Sequence, residues 1–174
     1  MGDAGKALYS VVRLEDCIPQ DHPLKHFDDW LERELAAVWL DSEVATGRSI
    51  LDFRLTGIQG KDAVESVVRA MLLQAIYGES DDHQFLERVR YSVLFRWFIN
   101  VPLDEALWSA SDYQLAKHEV LTCGELGPLF KATLSLHDTS TLLSDAQFAV
   151  DEERLWYWSA VSGIARRVAP RQRV

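Results

Sequence analysis

Apolar residues three and four positions apart mark the first ordered segment: Leu24, Phe27, Trp30 or Leu31, Leu35 and Val38. This period predicts an amphipathic helix over about 23–43, with Pro23 in its first turn and Asp21 or His22 before it as a cap. Lys25, Asp28, Asp29, Glu32 and Arg33 are then expected to face water. Residues 47–60 carry three glycines around Ile50-Leu51-Asp52-Phe53-Arg54-Leu55, an alternation that fits a short strand or a packed loop at about 50–55. Asp62-Ala63-Val64-Glu65 has the spacing of a capping box, in which the first side chain and the fourth satisfy free N–H groups at a helix start. Val64, Val67, Val68, Met71, Leu72 and Ala75 give that helix its inward face, and Gly78 ends it.

The densest apolar run in the chain is Ala70 to Gly78, continued by Leu94-Phe95-Arg96-Trp97-Phe98. Between them, Ser80-Asp81-Asp82-His83 caps a helix whose apolar positions are Phe85, Leu86 and Val89. A turn of three residues, Gly78-Glu79-Ser80, between two amphipathic helices is the minimal spacing of a helix-turn-helix, and also of pairs that simply pack on each other. Ser92 to Ile99 is expected to be buried and to stop at Asn100-Val101-Pro102. Short helices from Asp104 and from Ser111 should follow, then one over about 126–136 with Pro128 in its first turn and a polar hinge over 140–144. Residues 148–158 suit strand or helix. Asp151 as a cap, Glu152 and Glu153 in a first turn, the spacing of Leu155, Trp158 and Val161, and the late Arg166 and Arg167 all favour helix. The predicted class is all-α, a multi-helix domain over 21–139 preceded by an arm at 1–20 and followed by a hinge and an aromatic, basic helix over 140–174.

Composition narrows the function. The 174 residues are 48% hydrophobic and 26% charged, as expected of a single domain with a sizeable core. No apolar run approaches membrane-spanning length and the N-terminus lacks the layout of a signal peptide, so a cytoplasmic location is expected. Cys17 and Cys123 have neither metal-ligand nor disulfide-framework spacing and are expected to be reduced, whether buried or incidental. The net charge of −9 argues against coating nucleic acid by bulk electrostatics. That charge is unevenly placed: residues 61–100 hold five basic and six acidic side chains, and residues 151–174 hold five and three. Any nucleic-acid surface should come from those two segments.

No nucleophile elbow, Gly-rich phosphate loop, zinc-spaced cysteine pair or His-Glu-x-x-His arrangement is present. His22 and His26 share a helical spacing but lack a third ligand nearby, so neither a metal nor another cofactor is expected. The acid pairs Asp28-Asp29, Asp81-Asp82 and Glu152-Glu153 read as helix starts or exposed faces.

Three ordered motifs carry a family resemblance: the run 70–78, then Arg90-Tyr91-Ser92-Val93-Leu94-Phe95-Arg96-Trp97-Phe98, then Leu103-Asp104-Glu105-Ala106-Leu107-Trp108. Together they resemble the N-terminal domain of bacterial insertion-sequence transposases of the IS-five type. Residues 18–24 resemble that family's opening, and residues 142–151 its entry to the catalytic domain, so the likeness spans about 18–151. The resemblance implies that Asp151 matches the first of three catalytic carboxylates that hold two divalent metals. A lone carboxylate cannot hold that pair, and the sequence continues for only 23 residues beyond it, so strand transfer by this chain alone is not expected. Glu152-Glu153-Arg154 also replaces the family's small, turn-like sequence, and residues 111–119 are nearly neutral where a basic run is expected.

Two readings follow. In the first, the chain is a transposase-derived DNA-binding protein, a regulator or transposition-related factor. Arg88, Arg90 and Arg96 would contact DNA from the helix-turn-helix region, and Arg166, Arg167, Arg171 and Arg173 would add backbone contacts. In the second, it is a protein-interaction module that lost DNA binding and acts as a homo-oligomer, such as a dimer, or with another protein. The interface would then be Trp156, Tyr157 and Trp158, because aromatic side chains concentrate in interface cores. A positive face around Arg88, Arg90 and Arg96 would favour DNA. Interruption by Glu79, Asp81, Asp82 and Glu87 would favour protein.

Overall fold

The helix at Ala63–Ile76 is the axis of the molecule, because nearly every side chain along it is buried, not one face alone. The computed structural model describes residues 13–46, 55–58, 62–122 and 124–168, with the side chains of 42–46 and 166–168 outside the description. A 3-10 turn at Leu14–Cys17 leads into α1 (Pro23–Thr46), then α2 (Ala63–Ile76), α3 (Asp82–Tyr91), α4 (Val93–Phe98), α5 (Ala110–Thr122), α6 (Gly127–Thr139) and α7 (Glu152–Val168). The described residues form seven α-helices and no strand, so the fold is all-α. The expected strand or loop at 50–55 lies outside the described residues except for Leu55, which is buried in a loop.

α2 packs against α4, α5 and α7, while α6 and α7 make the most extensive helix pairing. Leu143, Phe148, Leu155 and Trp158 join the same hydrophobic cluster as Val67, Met71 and Leu72, so the residues after α6 contribute to the core that α2 organises. Leu24, Phe27, Leu31, Leu35 and Val38 are buried as their spacing predicts. The start of α1 is capped by His22, whose Nδ1 accepts from the Leu24 N–H at 3.1 Å.

Three local expectations are corrected. Lys25 is buried, with its ammonium 5.9 Å from the Trp97 ring centroid, and Asp28 is half-buried beside Arg69, because both lie where α1 meets neighbouring elements. The Asp62 side chain makes no capping bond, and Glu65 instead accepts from Arg69 Nε at 2.8 Å. No helix starts at Asp104, because the Arg96 guanidinium donates to the carbonyls of Pro102 and Glu105, each at 2.9 Å, and holds 102–105 in a turn. Cys17 is a free thiol and exposed, which fits the incidental alternative and not the buried one.

Two helix ends are set by residues in the left-handed region. At the end of α2 the Glu79 N–H reaches Gln74 O and the Gly78 N–H reaches Ala75 O, with Gly78 at φ +65°; this is a Schellman cap. α4 ends the same way: the Val101 N–H reaches Arg96 O, the Asn100 N–H reaches Trp97 O, and Asn100 takes φ +57°. Asparagine is among the few non-glycine residues that adopt this region readily.

Candidate nucleic-acid interface

α3 is the second helix of the pair joined at Gly78, and the sequence fixes its orientation at both ends. Asp81 caps it by accepting from the Gln84 N–H at 2.7 Å, and Ser92 both ends α3 and caps α4 by accepting from the Phe95 N–H at 3.2 Å. Phe85, Leu86 and Val89 face the core. His83, Gln84, Arg88, Arg90 and Tyr91 are therefore turned to water, with Tyr91 80% exposed. Gln84, Arg88 and Tyr91 follow one another at spacings of four and three, so they form a row along one helix face.

A buried polar chain holds α3 from behind. Tyr113 Oη donates to Gln74 Oε1 at 3.1 Å, Gln74 Nε2 donates to Asp82 Oδ1 at 2.8 Å, and the Lys117 ammonium donates to the same carboxylate oxygen. Full burial raises the Tyr113 phenol well above its ordinary value, which keeps it a donor. On Asp82, burial is the largest influence and acts upward, but the hydrogen bonds from Lys117 and Gln74 outweigh it, and the carboxyl lies below its ordinary 3.8. Burial lowers the Lys117 ammonium, with Asp82 restoring only part of the loss.

Asp28 behaves in the opposite way. Burial raises its carboxyl above 3.8 even though Arg69 pulls it down. A depressed carboxyl contributes stability that is present above 3.8 and lost as pH falls through the folded value. A raised one contributes stability that is present below 3.8 and lost as pH rises through the folded value. Urea unfolding over a pH series should therefore show Asp82→Asn flattening the acid-side loss of stability, and Asp28→Asn flattening a decline above 3.8. Parallel slopes in the two variants would contradict these assignments.

The arginines named from the sequence are not brought into one positive face. Arg88 is half exposed, pairs with Glu79, and lies over the Tyr77 and Phe95 rings at 5.3 and 5.0 Å. Arg90 pairs with Glu87 at 2.8 Å, one helical turn away. Arg96 points into the protein: it is 4% exposed, two backbone carbonyls occupy its terminal nitrogen, and its Nε is buried without a partner. Burial and the nearby charge of Arg90 both lower its pKa, against a smaller upward pull from Glu105. Arg96 therefore cannot serve as the surface contact that its sequence position suggested. Arg166 and Arg167 lie on the backbone of α7 with side chains outside the description, and Arg171 and Arg173 lie outside the described residues. A cleft of about 620 Å³ between the start of α2 and the 100–109 loop is lined by Asp62, Glu105 and Asp112, a charge that repels phosphate.

Asp151 is the cap of α7. Its Oδ1 accepts from the Arg154 N–H at 3.0 Å, and its Oδ2 lies 3.3 Å from Arg154 Nε. The same Arg154 reaches across to donate to Glu79 O at 2.6 Å, tying the start of α7 to the turn between α2 and α3. Residues 152–158 are helical, 148–151 lead into them without forming a strand, and of the three aromatics only Trp156 and Tyr157 face water, at 67% and 58% exposure. Trp158 belongs to the core, 5.4 Å from Phe130 ring to ring, so it cannot line an interface. Sequence reading missed Arg154, Lys117, Gln84 and Tyr91. The one advance signal was Gln74, a lone amide inside an apolar run.

These features define a helical module with an exposed second helix in a helix-turn-helix-like pair and a carboxylate engaged in capping. The family model described as a transposase domain (DUF772) matches residues 12–115. That is more than half of the chain, and the protein belongs to this transposase-related family. The matched span runs from the 3-10 turn into α5, so α6, α7 and Asp151 lie beyond it. No curated protein and no solved structure matches the chain. Among the described residues, no helix is long and apolar enough to cross a membrane.

Proposed function

We propose that this chain is a transposase-derived DNA-binding protein, of the IS-five lineage, that contributes recognition rather than strand transfer. The observation that carries this reading is α3. It is the second helix of a pair closed by a Schellman cap, held from behind by α5 and α7, with Gln84, Arg88 and Tyr91 in one water-facing row. Such a helix enters a major groove with its N-terminal residues at base edges, where a glutamine amide suits adenine. Asp151 is held by its own helix and by Arg154, which gives no support to a metal-holding role in this chain.

The ion pairs set the strength of that contact. Arg88 and Arg90 each have an acidic neighbour to leave before meeting phosphate, and Arg96 is internal. With about two phosphates engaged, the logarithm of the DNA association constant should fall with the logarithm of salt at a slope of about −2. Fluorescence anisotropy over a salt series measures it. Gln84→Ala and Tyr91→Ala should weaken binding without changing that slope, whereas Arg88→Ala should reduce it by about one. Absence of binding to any duplex at low salt would sink the proposal.

A second reading, association with protein, is favoured by the exposed Trp156 and Tyr157 on α7. Interruption of the α3 surface by Glu79 and Glu87 is consistent with it and makes multivalent binding useful, since linked weak contacts bind more tightly than either alone.

A further inference from the structure

Arg96 is enclosed without a carboxylate partner. Arg69, buried to the same degree, gathers Asp28, Glu32 and Glu65, whereas the described residues give Arg96 only the carbonyls of Pro102 and Glu105, both on Nη1. Its Nε is buried without a partner, and no described residue hydrogen-bonds Nη2. These two nitrogens share one edge of the guanidinium, an edge that can take a carboxylate or phosphate through two parallel N–H···O bonds. Lys25 is a second buried cation without an ion pair among the described residues, its ammonium 5.9 Å from the Trp97 ring centroid. Arg96 and Trp97 both line a cavity of about 650 Å³ between the 3-10 turn and residues 100–104, a volume suited to a small molecule. Leu14 and Leu103 add apolar wall. The two acids of the lining, Glu15 and Asp104, are exposed, and Arg13 already engages Glu15 at 3.4 Å. Charge is thus sorted by exposure: the base is enclosed and the acids face water.

We propose that this cavity binds a small organic oxyanion, a carboxylate or phosphate monoester on an apolar body, with its oxygens on the Nε–Nη2 edge of Arg96 and its body against Trp97 and Leu103. The oxyanion supplies the acceptors that this edge lacks. It also neutralises a guanidinium whose charge is disfavoured by burial and by Arg90, with only a smaller opposing pull from Glu105. A cationic ligand, which Glu15 and Asp104 could attract, would leave both nitrogens unpaired and set a like charge beside Arg96. The cavity shares no residue with the Gln84, Arg88 and Tyr91 row, so it stands or falls independently of DNA binding by α3.

Two-dimensional proton–nitrogen NMR of the full chain, following the Arg96 Nε–H and the Trp97 indole N–H, tests the site with benzoate and phenyl phosphate. Both signals should shift saturably, with a Kd of about 1–10 mM for ligands of this size. Benzamide, which keeps the body without the charge, and inorganic phosphate, which keeps the charge without the body, should each bind at least about tenfold more weakly. Asp104→Asn removes an exposed acid from the lining and should tighten benzoate several-fold. Leu103→Asp places a carboxylate on the apolar wall and should weaken it by more than about tenfold. Circular dichroism should show unchanged helix content in both variants, because both positions are exposed and outside the helices. No saturable shift at either nitrogen up to about 50 mM of both probes would overturn the proposal. Equal affinity for benzamide, or tighter binding of benzylamine than of benzoate, would overturn the role given to Arg96. Binding indifferent to both variants would place the anion elsewhere and overturn the site.

Discussion

Replacing Arg69 with alanine should lower the free energy of unfolding by about 3–5 kcal/mol, the cost of removing one partner from a buried ion pair. Arg69 is 2% exposed, the most completely enclosed charge among the described residues. Its guanidinium bonds Asp28 from α1 and Glu65 from its own helix, lies 3.5 Å from Glu32, and donates to Phe98 O at 3.3 Å. It also lies over the Phe98 ring at 5.8 Å. One side chain therefore joins α1, α2 and the end of α4. Without it, a half-buried Asp28 and Glu65 lose their countercharge, and the Phe98 carbonyl loses a donor. Arg69→Met separates charge from volume: it refills most of the space, so its cost should fall below that of alanine by roughly the cavity contribution, about 1–2 kcal/mol. Guanidinium unfolding monitored by tryptophan fluorescence measures both. Equal costs for methionine and alanine would show that packing contributes nothing at this site, and a cost below about 1 kcal/mol for alanine would refute the buried-pair account.

Gly78→Ala should cost about 3–5 kcal/mol, from left-handed backbone strain of about 1–3 kcal/mol and two hydrogen bonds worth about 1 kcal/mol each. Gly78 has φ +65°, and a Cβ there would lie 2.6 Å from the Ala149 carbonyl oxygen. That atom is backbone and cannot rotate away. The segment 149–151 must retreat, and with it go the Ala149 N–H bond to Ile76 O at 3.1 Å and the Asp151 N–H bond to Ala75 O at 2.8 Å. The same turn sets the direction of α3. Gly163 is the internal contrast: it is helical, and an added Cβ there meets nothing within 4 Å. Gly163→Ala should raise stability by about 0.5–1 kcal/mol. Amide hydrogen exchange would show faster exchange at Ala149 and Asp151 in Gly78→Ala only. Unchanged protection there would refute the proposed retreat.

Both substitutions act on residues whose importance differs in how visible it is along the chain. Gly78 could be read directly, because a glycine following an apolar helical run marks a left-handed cap. Its tight approach to Ala149 could not, since that contact joins positions far apart in sequence. Arg69 gave no signal: one arginine in an amphipathic pattern reads as solvated, and only the convergence of α1 and α4 encloses it. Arg96 was misread for the same reason, as an exposed base where the fold makes it an internal donor. Arg88 and Arg90 were correctly expected at the surface, yet their pairing with Glu79 and Glu87 depends on side-chain geometry that spacing does not supply.

Local chemistry therefore determined the helices and many of their ends: the inward row of α1, the Asp81 and Ser92 caps, the Gly78 stop, the Asp151 cap and the transposase-like motif order. These features arise from interactions within one or two turns, so they are written in consecutive residues. Tertiary structure decided which charges are interior, that α2 is buried all round, that Trp158 is core while Trp156 and Tyr157 face water, and that Arg154 ties α7 to the turn before α3. Those outcomes depend on which distant element covers a given face, and a charged or aromatic side chain is recognisable from sequence without its neighbours being so.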